Sequence, residues 1–198
     1  MPKGESVDQP WWSTDPDTPV QRRGRRRSNP QGDDGRGPVS EAEAEEIART
    51  IILNRLDRSS ASRAQLAELC AKRLVPDHIA DRVLDRFEEV GLIDDAAYAA
   101  MLVRTRHSER QLAGKALRQE LSRKGITGAM ADKAMSQIDD EDEEEAARAV
   151  VTKRLRQASL QRAPRPVQER RLLAALARKG HRSEVAFRVI KQALDDLE

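Results

Sequence analysis

A chain of 198 residues that is 35% charged, 38% hydrophobic and only 3% aromatic has too little apolar material for one large core, and it suits slender helices that each bury a narrow stripe. The formal net charge is +2, and the single cysteine, Cys70, excludes an intramolecular disulfide or a cysteine-rich zinc site; we expect it to be a small core residue. No apolar run reaches the roughly 18 residues of a membrane span and the N-terminus lacks a hydrophobic signal core, so we expect a cytoplasmic protein.

Residues 1–39 are predicted to form a disordered tail that is rich in proline, glycine and arginine. They hold six of the nine prolines and half of the ten glycines, and they show no apolar periodicity. Such a segment cannot bury enough surface to offset the entropy that ordering would cost. The folded part of the chain is therefore expected to begin at Ser40.

The first predicted repeat spans residues 40–93 and contains three helices. Ser40 and Ser62 each begin a capping-box pattern, in which a serine oxygen accepts a backbone N–H and the side chain three residues later reaches back. Gly91 is predicted to end the third helix in the left-handed conformation. Apolar residues at helical spacing mark the three helices: Ile47, Ile51 and Ile52; Leu66, Leu69 and Cys70; Ile79, Val83 and Phe87.

A similar pattern returns twice along the chain. In each copy a basic pair closes one apolar-periodic stretch, a short turn follows, and a second periodic stretch begins. The basic pairs are Lys72-Arg73, Arg123-Lys124 and Arg178-Lys179, with offsets of 51 and 55 residues. The later final helices are predicted to bury Met130, Ala134 and Ile138, then Val185, Val189 and Ala193. A fixed long period predicts an all-α fold of three tandem three-helix repeats, which in an elongated stack would occupy residues 40–93, 94–138 and 139–198.

The charges are strongly segregated along the chain. Residues 139–145 are seven consecutive acids, which we expect to open a helix because carboxylates favour the positive end of its dipole. Residues 104–124 carry seven Arg or Lys against two Glu, and residues 153–182 carry ten against one. Basic segments of this size predict a polyanionic partner, although a solvated helix face remains an alternative for each cluster.

Basic side chains of the second and third repeats are the candidate binding residues. Beyond the tail the chain has only Phe87, Tyr98 and Phe187 as aromatics, whereas stacking on aromatics contributes ~1–3 kcal/mol per base in single-strand binders. A protein–DNA filament or a protein with an acidic groove is therefore a better partner than free single-stranded DNA. The candidates are Arg104, Arg106, Arg110, Lys115, Arg118, Arg123, Lys124, Lys153, Arg154, Arg156, Arg178, Lys179 and Arg182.

The sequence contains none of the usual patterns of an active site. Neither a phosphate-binding P-loop nor a dinucleotide-binding glycine motif is present. The three histidines, His78, His107 and His181, have no metal-ligand spacing. We therefore expect a protein that is not an enzyme and that uses no cofactor and no metal.

Two segments resemble the bacterial RecX regulators. The segment Gly91-Leu92-Ile93-Asp94-Asp95-Ala96-Ala97-Tyr98-Ala99, followed by Arg104, is similar to that family's G-x-(L/I)-(D/N)-D-x-x-(Y/F)-A…R signature. The segment from Leu117 to Ile126 is similar to its L-x-x-E-L-x-x-K-G-(I/V) segment. The residues that match the family motifs are Gly91, Asp94, Asp95, Tyr98 and Gly125.

This resemblance implies a modulator of the RecA recombinase. Members of the family lie along the groove of the RecA–single-stranded DNA filament and inhibit its ATPase, strand-exchange and co-protease activities. They thereby limit homologous recombination and the SOS response to DNA damage. The implied fold is three three-helix units in a curved, extended shape, and the implied partners are the RecA filament and its DNA, with weak direct DNA binding by a monomer.

Two alternative functions stay open at this stage. A three-helix unit with a basic turn resembles a helix-turn-helix regulator that enters the major groove. In this chain, however, apolar residues at helical spacing occupy the face of each final helix. A helical adaptor without a nucleic-acid role is favoured if the basic side chains pair with acids. The acidic run 139–145 has three possible roles: binding a basic patch on the recombinase, shielding the basic face, or forming a hinge between two units.

Overall fold

A computed structural model of the chain describes residues 40–197, in which the backbone forms ten α-helices and no β-strand. The predicted all-α class is confirmed. The predicted tail, 1–39, lies outside the described residues. None of the described helices combines the length and apolar character that a membrane span requires. The helices are α1 (Glu41–Leu56), α2 (Arg63–Lys72), α3 (Asp77–Glu89), α4 (Asp95–Arg110), α5 (Gly114–Arg123), α6 (Gly128–Met135), α7 (Asp140–Leu155), α8 (Ala158–Gln161), α9 (Arg165–Lys179) and α10 (Ser183–Asp195).

Helices α1 to α3 form the first group and share one hydrophobic cluster. The capping boxes at Ser40 and Ser62 are both present, as predicted. Cys70 is fully buried in the cluster, which confirms it as a core residue, and burial raises the pKa of its thiol. The helix marked by Ile47, Ile51 and Ile52 is present, and it turns its small residues Ala44 and Ala48 inward and leaves Ile47 43% exposed.

Helices α4 to α6 form the second group, around a cluster that includes Leu117, Leu121 and Ile126. The short helix α6 buries Ala131 and Ala134. Met130 was predicted to lie in this core but is 41% exposed, because the buried face of α6 begins one residue later, at Ala131.

Helices α7, α9 and α10 form the third group, together with the single-turn helix α8. Leu160 of α8 is 3% exposed and joins the cluster, so this short helix contributes to the core. The acidic run does open a helix, as predicted: Asp139 caps α7 in a capping box with Asp142.

Two joints of the same construction connect the three groups. In the first, the hydroxyl of Ser62 donates a hydrogen bond of 2.5 Å to the carbonyl oxygen of Lys124. In the second, the backbone N–H of Ala113 donates one of 2.9 Å to the carbonyl oxygen of Lys179. In both, the start of the middle helix of one group meets the basic turn of the next group.

The turns at the joints require glycine, and the equivalent turn of the first group does not. Gly125 and Gly180 have φ values of +76° and +85°, and an added Cβ would overlap Ala64 in the first joint or the backbone around Ala116 in the second. The first group has Leu74 instead, at φ +61° and 90% exposed. No other part of residues 40–197 covers that side chain, so Lys72-Arg73-Leu74 departs from the repeated pattern without a clash between groups and carries only the backbone strain of a left-handed leucine.

Candidate nucleic-acid interface

The residues of the family motifs build the first joint. Asp94 caps α4 by accepting the N–H of Ala97 at 2.8 Å, whereas Asp95 accepts the N–H of Arg63 at 2.8 Å and so caps α2 of the preceding group. The hydroxyl of Tyr98 donates to the Gln65 side chain at 3.2 Å, and burial raises the pKa of that hydroxyl.

The two glycines of the motifs have equally local roles. Gly91 follows α3 at φ +72°, the left-handed stop that the sequence predicted, and Gly125 packs on α2 in the first joint. The motif residues therefore occupy positions that shape the protein itself.

Several candidate cations of the second group pair with carboxylates of the same group. Arg118 binds Asp132 at 2.5 Å and Arg123 binds Glu120 at 3.3 Å. Arg106 lies 3.8 Å from Glu120, and its buried Nε has no hydrogen-bond partner among the described residues. The pair of Arg118 and Asp132 is exposed on both sides and contributes about 0–1 kcal/mol, so exchanging Asp132 for another anion costs little, whereas Glu120 is partly buried.

The remaining candidates of the second group have no ion pair within residues 40–197. Arg104 and Lys115 are exposed, and Lys124 is partly buried at the first joint. Arg104 lies beside a groove between the first two groups that is also lined by Leu56, Leu92 and Met101.

Arg182 is held by the acidic run. Its backbone N–H and its Nε both donate to Glu143 at 2.7 Å, and its guanidinium binds Asp140 at 2.6 Å. Glu143 is only 6% exposed, and its hydrogen bonds raise the pKa of Arg182. Glu144 also pairs with Arg188 at 2.6 Å. The acidic run therefore fastens α7 to the start of α10.

Six basic residues gather where the C-terminal ends of α4, α7 and α9 approach one another. We call this surface the basic cleft and define it by Arg110, Lys153, Arg154, Arg171, Arg178 and Lys179. None of the six has a carboxylate partner among the described residues. Arg156, the last candidate, lies apart from it, in a hollow lined by Gln161 and Gln168.

The basic cleft contains two adjoining hollows of about 280 and 300 Å³. Arg154 and Gln157 line both of them. Lys153 and Lys179 line one hollow, and Arg178 lines the other. Within residues 40–197, no acidic and no aromatic residue lines either hollow.

Lys179 shows how strongly positive the cleft is. Burial is the main cause that holds the pKa of Lys179 below its ordinary value. The neighbouring charges of Lys153, Arg154 and Arg110 lower this pKa further. Its Nζ donates a hydrogen bond to the carbonyl oxygen of Arg110. A cation surrounded by like charges is a favourable place for an added anion.

A buried histidine lies behind the cleft, at the second joint. The Nε2 of His181 is 3.0 Å from the carbonyl oxygen of Gln111, and its Nδ1 has no hydrogen-bond partner in the described part of the chain. Burial lowers the pKa of His181, and the neighbouring His107 adds to this effect, whereas Glu143 opposes it. His107 and His181 are far apart in the sequence, but they lie close together at this joint.

Sequence reasoning missed two polar residues of this surface. Gln111 and Gln157 were not among the candidates, and with Arg171, which lies in the basic segment 153–182, they line the two hollows. No local pattern could have found the two glutamines, because each follows a helix end and lines a hollow that residues distant in the chain complete. Across residues 40–197 no cluster of three or more His, Cys, Asp or Glu is arranged to hold a metal ion.

Comparisons with known proteins agree on one family. A family model described as RecX, second three-helix domain, matches residues 94–135. The chain is 44% identical over 176 residues to the regulatory protein RecX of Streptomyces coelicolor, covering 84% of this chain and 92% of that one. It is 38% identical over 148 residues to the regulatory protein RecX of Thermobifida fusca, covering 75% and 79%. A crystal structure of a regulatory protein RecX superposes with a TM-score of 0.69 at 26% identity, covering 76% and 74%.

Proposed function

The chain belongs to the RecX family of regulatory proteins, and on that premise we propose that it is a negative modulator of the RecA recombinase. It binds the RecA–single-stranded DNA filament and inhibits the ATPase, strand-exchange and co-protease activities of that filament. It thereby tunes recombinational DNA repair and the SOS response. It acts by binding and not by catalysis, as a monomer in the cytoplasm.

The observation that carries this proposal is the basic cleft. Six cations share one surface of the second and third groups without a carboxylate partner in residues 40–197. Cations left without internal partners are available to a phosphate backbone, whose neutralisation supplies much of protein–nucleic acid affinity.

The scarcity of exposed aromatics supports a filament as the target. Phe87 is buried and Tyr98 is committed to the first joint, whereas Phe187 of α10 is 61% exposed. Within residues 40–197 this one exposed ring cannot supply the repeated stacking that tight single-strand binding needs. Direct DNA binding is therefore weak, and contacts with the recombinase supply the rest of the affinity.

A helical adaptor without a nucleic-acid role fits the structure less well. That alternative expected the basic side chains to be neutralised by acids. Arg118, Arg123 and Arg182 do pair with carboxylates, whereas the basic cleft has none within the described residues. Nor do the final helices favour a groove-reading regulator, because α3 and α10 bury their apolar faces in their own groups.

The test is the rate of ATP hydrolysis by RecA on single-stranded DNA while this protein is titrated. We expect hydrolysis to fall as the protein approaches stoichiometric amounts, with inhibition weakened by added salt. Unchanged hydrolysis at stoichiometric ratios, together with tight binding to a particular duplex sequence, would overturn the proposal in favour of a duplex-binding regulator.

A further inference from the structure

We propose that the basic cleft is a binding site for consecutive backbone phosphates of one nucleic-acid strand, built jointly by the second and third groups. The inference rests on the proposed function and deepens it, because it assigns direct DNA contact to the ends of α4, α7 and α9. The family motifs at the first joint are assigned no part in that contact.

Charge balance is the first argument. The C-terminal end of a helix carries about half a negative charge, so the three ends that meet here offset roughly 1.5 of the positive charges. Six cations form the cleft, and no carboxylate of the described part of the chain lines either hollow. Most of the positive charge is therefore left for an external anion.

The chemistry of the lining points to phosphate. Arg154 lies between the two hollows, where its planar guanidinium can bind phosphate oxygens in pairs. The amide of Gln157 supplies further N–H donors from the same position. Lys153 and Arg178 provide a cation on either side. Two hollows that share Arg154 suit two neighbouring phosphates better than one isolated ion.

The lining also argues against base recognition. Among the described residues no aromatic side chain lines either hollow, so this part of the chain offers no ring in the cleft on which a base could stack. Contacts limited to phosphates position a strand without reading its sequence. The site is therefore expected to bind strands of any sequence.

The position of the cleft ties it to the second joint. Arg110 and Gln111 come from the end of α4, whereas Lys179 also provides the carbonyl oxygen that Ala113 binds at 2.9 Å. The first joint is built in the same way, but the groove beside it is lined by two carboxylates, those of Asp57 and Asp94, and by leucines. The groove beside the first joint holds one candidate cation, Arg104, whereas the second joint carries the six cations of the basic cleft, and a strand bound there would contact both groups at once.

The test is direct binding of a fluorescently labelled single-stranded oligonucleotide, measured by anisotropy without recombinase at about 50 mM salt. The cleft variant combines Lys153→Gln, Arg154→Gln and Arg178→Gln, all at exposed positions. The matched control removes three charges from the first group through Arg58→Gln, Arg73→Gln and Arg86→Gln, which are exposed and are not among the candidate binding residues. Urea unfolding of each variant verifies that it is folded.

We expect the cleft variant to bind at least tenfold more weakly and the control to change by less than threefold. Each phosphate contact on a single strand contributes about 0.7 to the slope of log K against log salt, so losing two lowers the slope by about 1.4. Equal losses in the cleft variant and the control would overturn the inference. Inorganic phosphate at constant ionic strength should not displace the strand; displacement would identify a single free anion as the ligand and would also overturn it.

This experiment separates the two proposals. Because recombinase is absent, strand binding that depends on the cleft stands even when RecA hydrolysis is unaffected, in which case only the proposed function fails. Conversely, a cleft variant that still binds DNA like the wild type overturns the cleft assignment and leaves inhibition of the filament untouched.

Discussion

The backbone N–H of Ala113 donates a hydrogen bond of 2.9 Å to the carbonyl oxygen of Lys179, 66 residues later in the chain. The contact between Ser62 and Lys124 is its counterpart in the first joint. The recurring basic pair followed by glycine is thus first of all the element that joins successive helix groups. The backbone of the pair builds the joint, and only the side chains remain for a partner.

Gly180→Ala should open the second joint. The new Cβ would overlap the carbonyl oxygen of Ala113 and the backbone nitrogen of Ala116, and φ at this position is +85°. Left-handed strain costs about 1–2 kcal/mol and overpacking about 1–3 kcal/mol more. We expect the free energy of unfolding to fall by about 3 kcal/mol, measured by urea denaturation.

The matched control for this change is Gly91→Ala. Gly91 also has a positive φ, +72°, but an added Cβ would meet nothing within 4 Å. It should therefore cost only the backbone strain of about 1 kcal/mol. Equal costs at Gly91 and Gly180 would show that the second joint adds nothing to stability.

Ser62→Ala should cost more than the loss of an ordinary helix cap. Removing an N-cap serine typically costs about 1 kcal/mol, and leaving the Lys124 carbonyl without its donor adds about 1–3 kcal/mol. Ser62 is fully buried, so water cannot replace the hydroxyl. Ser40→Ala, which removes the same capping box at the exposed start of α1, is the comparison. In urea denaturation, Ser62→Ala should lower the free energy of unfolding at least twice as much as Ser40→Ala. Similar losses would show that the hydrogen bond between Ser62 and Lys124 adds nothing to stability.

Most helices of this fold could be predicted from local pattern. The capping boxes at Ser40 and Ser62 and the left-handed stop at Gly91 are encoded within a few residues, and all three are present. The one misplaced core residue named above, Met130, and the exposed Ile47 of α1 have the same explanation. Helices that pack closely turn alanines inward, and hydrophobicity alone ranks a large residue above a neighbouring alanine.

The basic segments could be predicted, but their division into paired and unpaired cations could not. The partners of Arg182 lie 39 and 42 residues before it, and Asp132 lies 14 residues beyond Arg118. The basic cleft could not be predicted from the sequence for the same reason. It forms where three helix ends approach one another, and the joints set that approach. The acidic run proved to have a structural use, since Glu143 and Glu144 hold α10.

Glu143→Gln should loosen the contact between α7 and α10. The carboxylate accepts two hydrogen bonds of 2.7 Å from Arg182, and hydrogen bonds to charged groups contribute about 1.5–3 kcal/mol. We expect a loss of about 2 kcal/mol in urea denaturation. Glu141→Gln is the matched control, because Glu141 is also in the first turn of α7 but is exposed. Glu141→Gln should lose only a helix-dipole interaction of about 0.5 kcal/mol. A loss as large as that of Glu143→Gln would show that helix-dipole effects alone account for both losses.

His181 should make stability depend on pH above the range in which carboxylates titrate. Burial is the main cause that lowers the pKa of His181, and the charges of His107 and Lys179 act in the same direction against Glu143. The unfolded chain has an ordinary histidine pKa of about 6.5 and so takes up the proton first as pH falls. Stability that is present above pH ~6.5 is therefore lost as pH falls toward the folded pKa.

The measurement compares urea denaturation of the wild type and His181→Gln at pH 7.5 and 5.5. Glutamine is uncharged at both values and its amide can still donate to the carbonyl oxygen of Gln111, so the variant isolates the titration of the imidazole. The wild type should lose more stability than the variant between the two pH values. Only the wild type has an imidazole at this position, and that imidazole takes up a proton more readily in the unfolded chain than in the buried folded site. Equal losses would mean that other groups set the pH dependence. A larger loss in the variant would mean that Glu143, 4.0 Å from Nδ1, stabilises the charged ring more than burial opposes it.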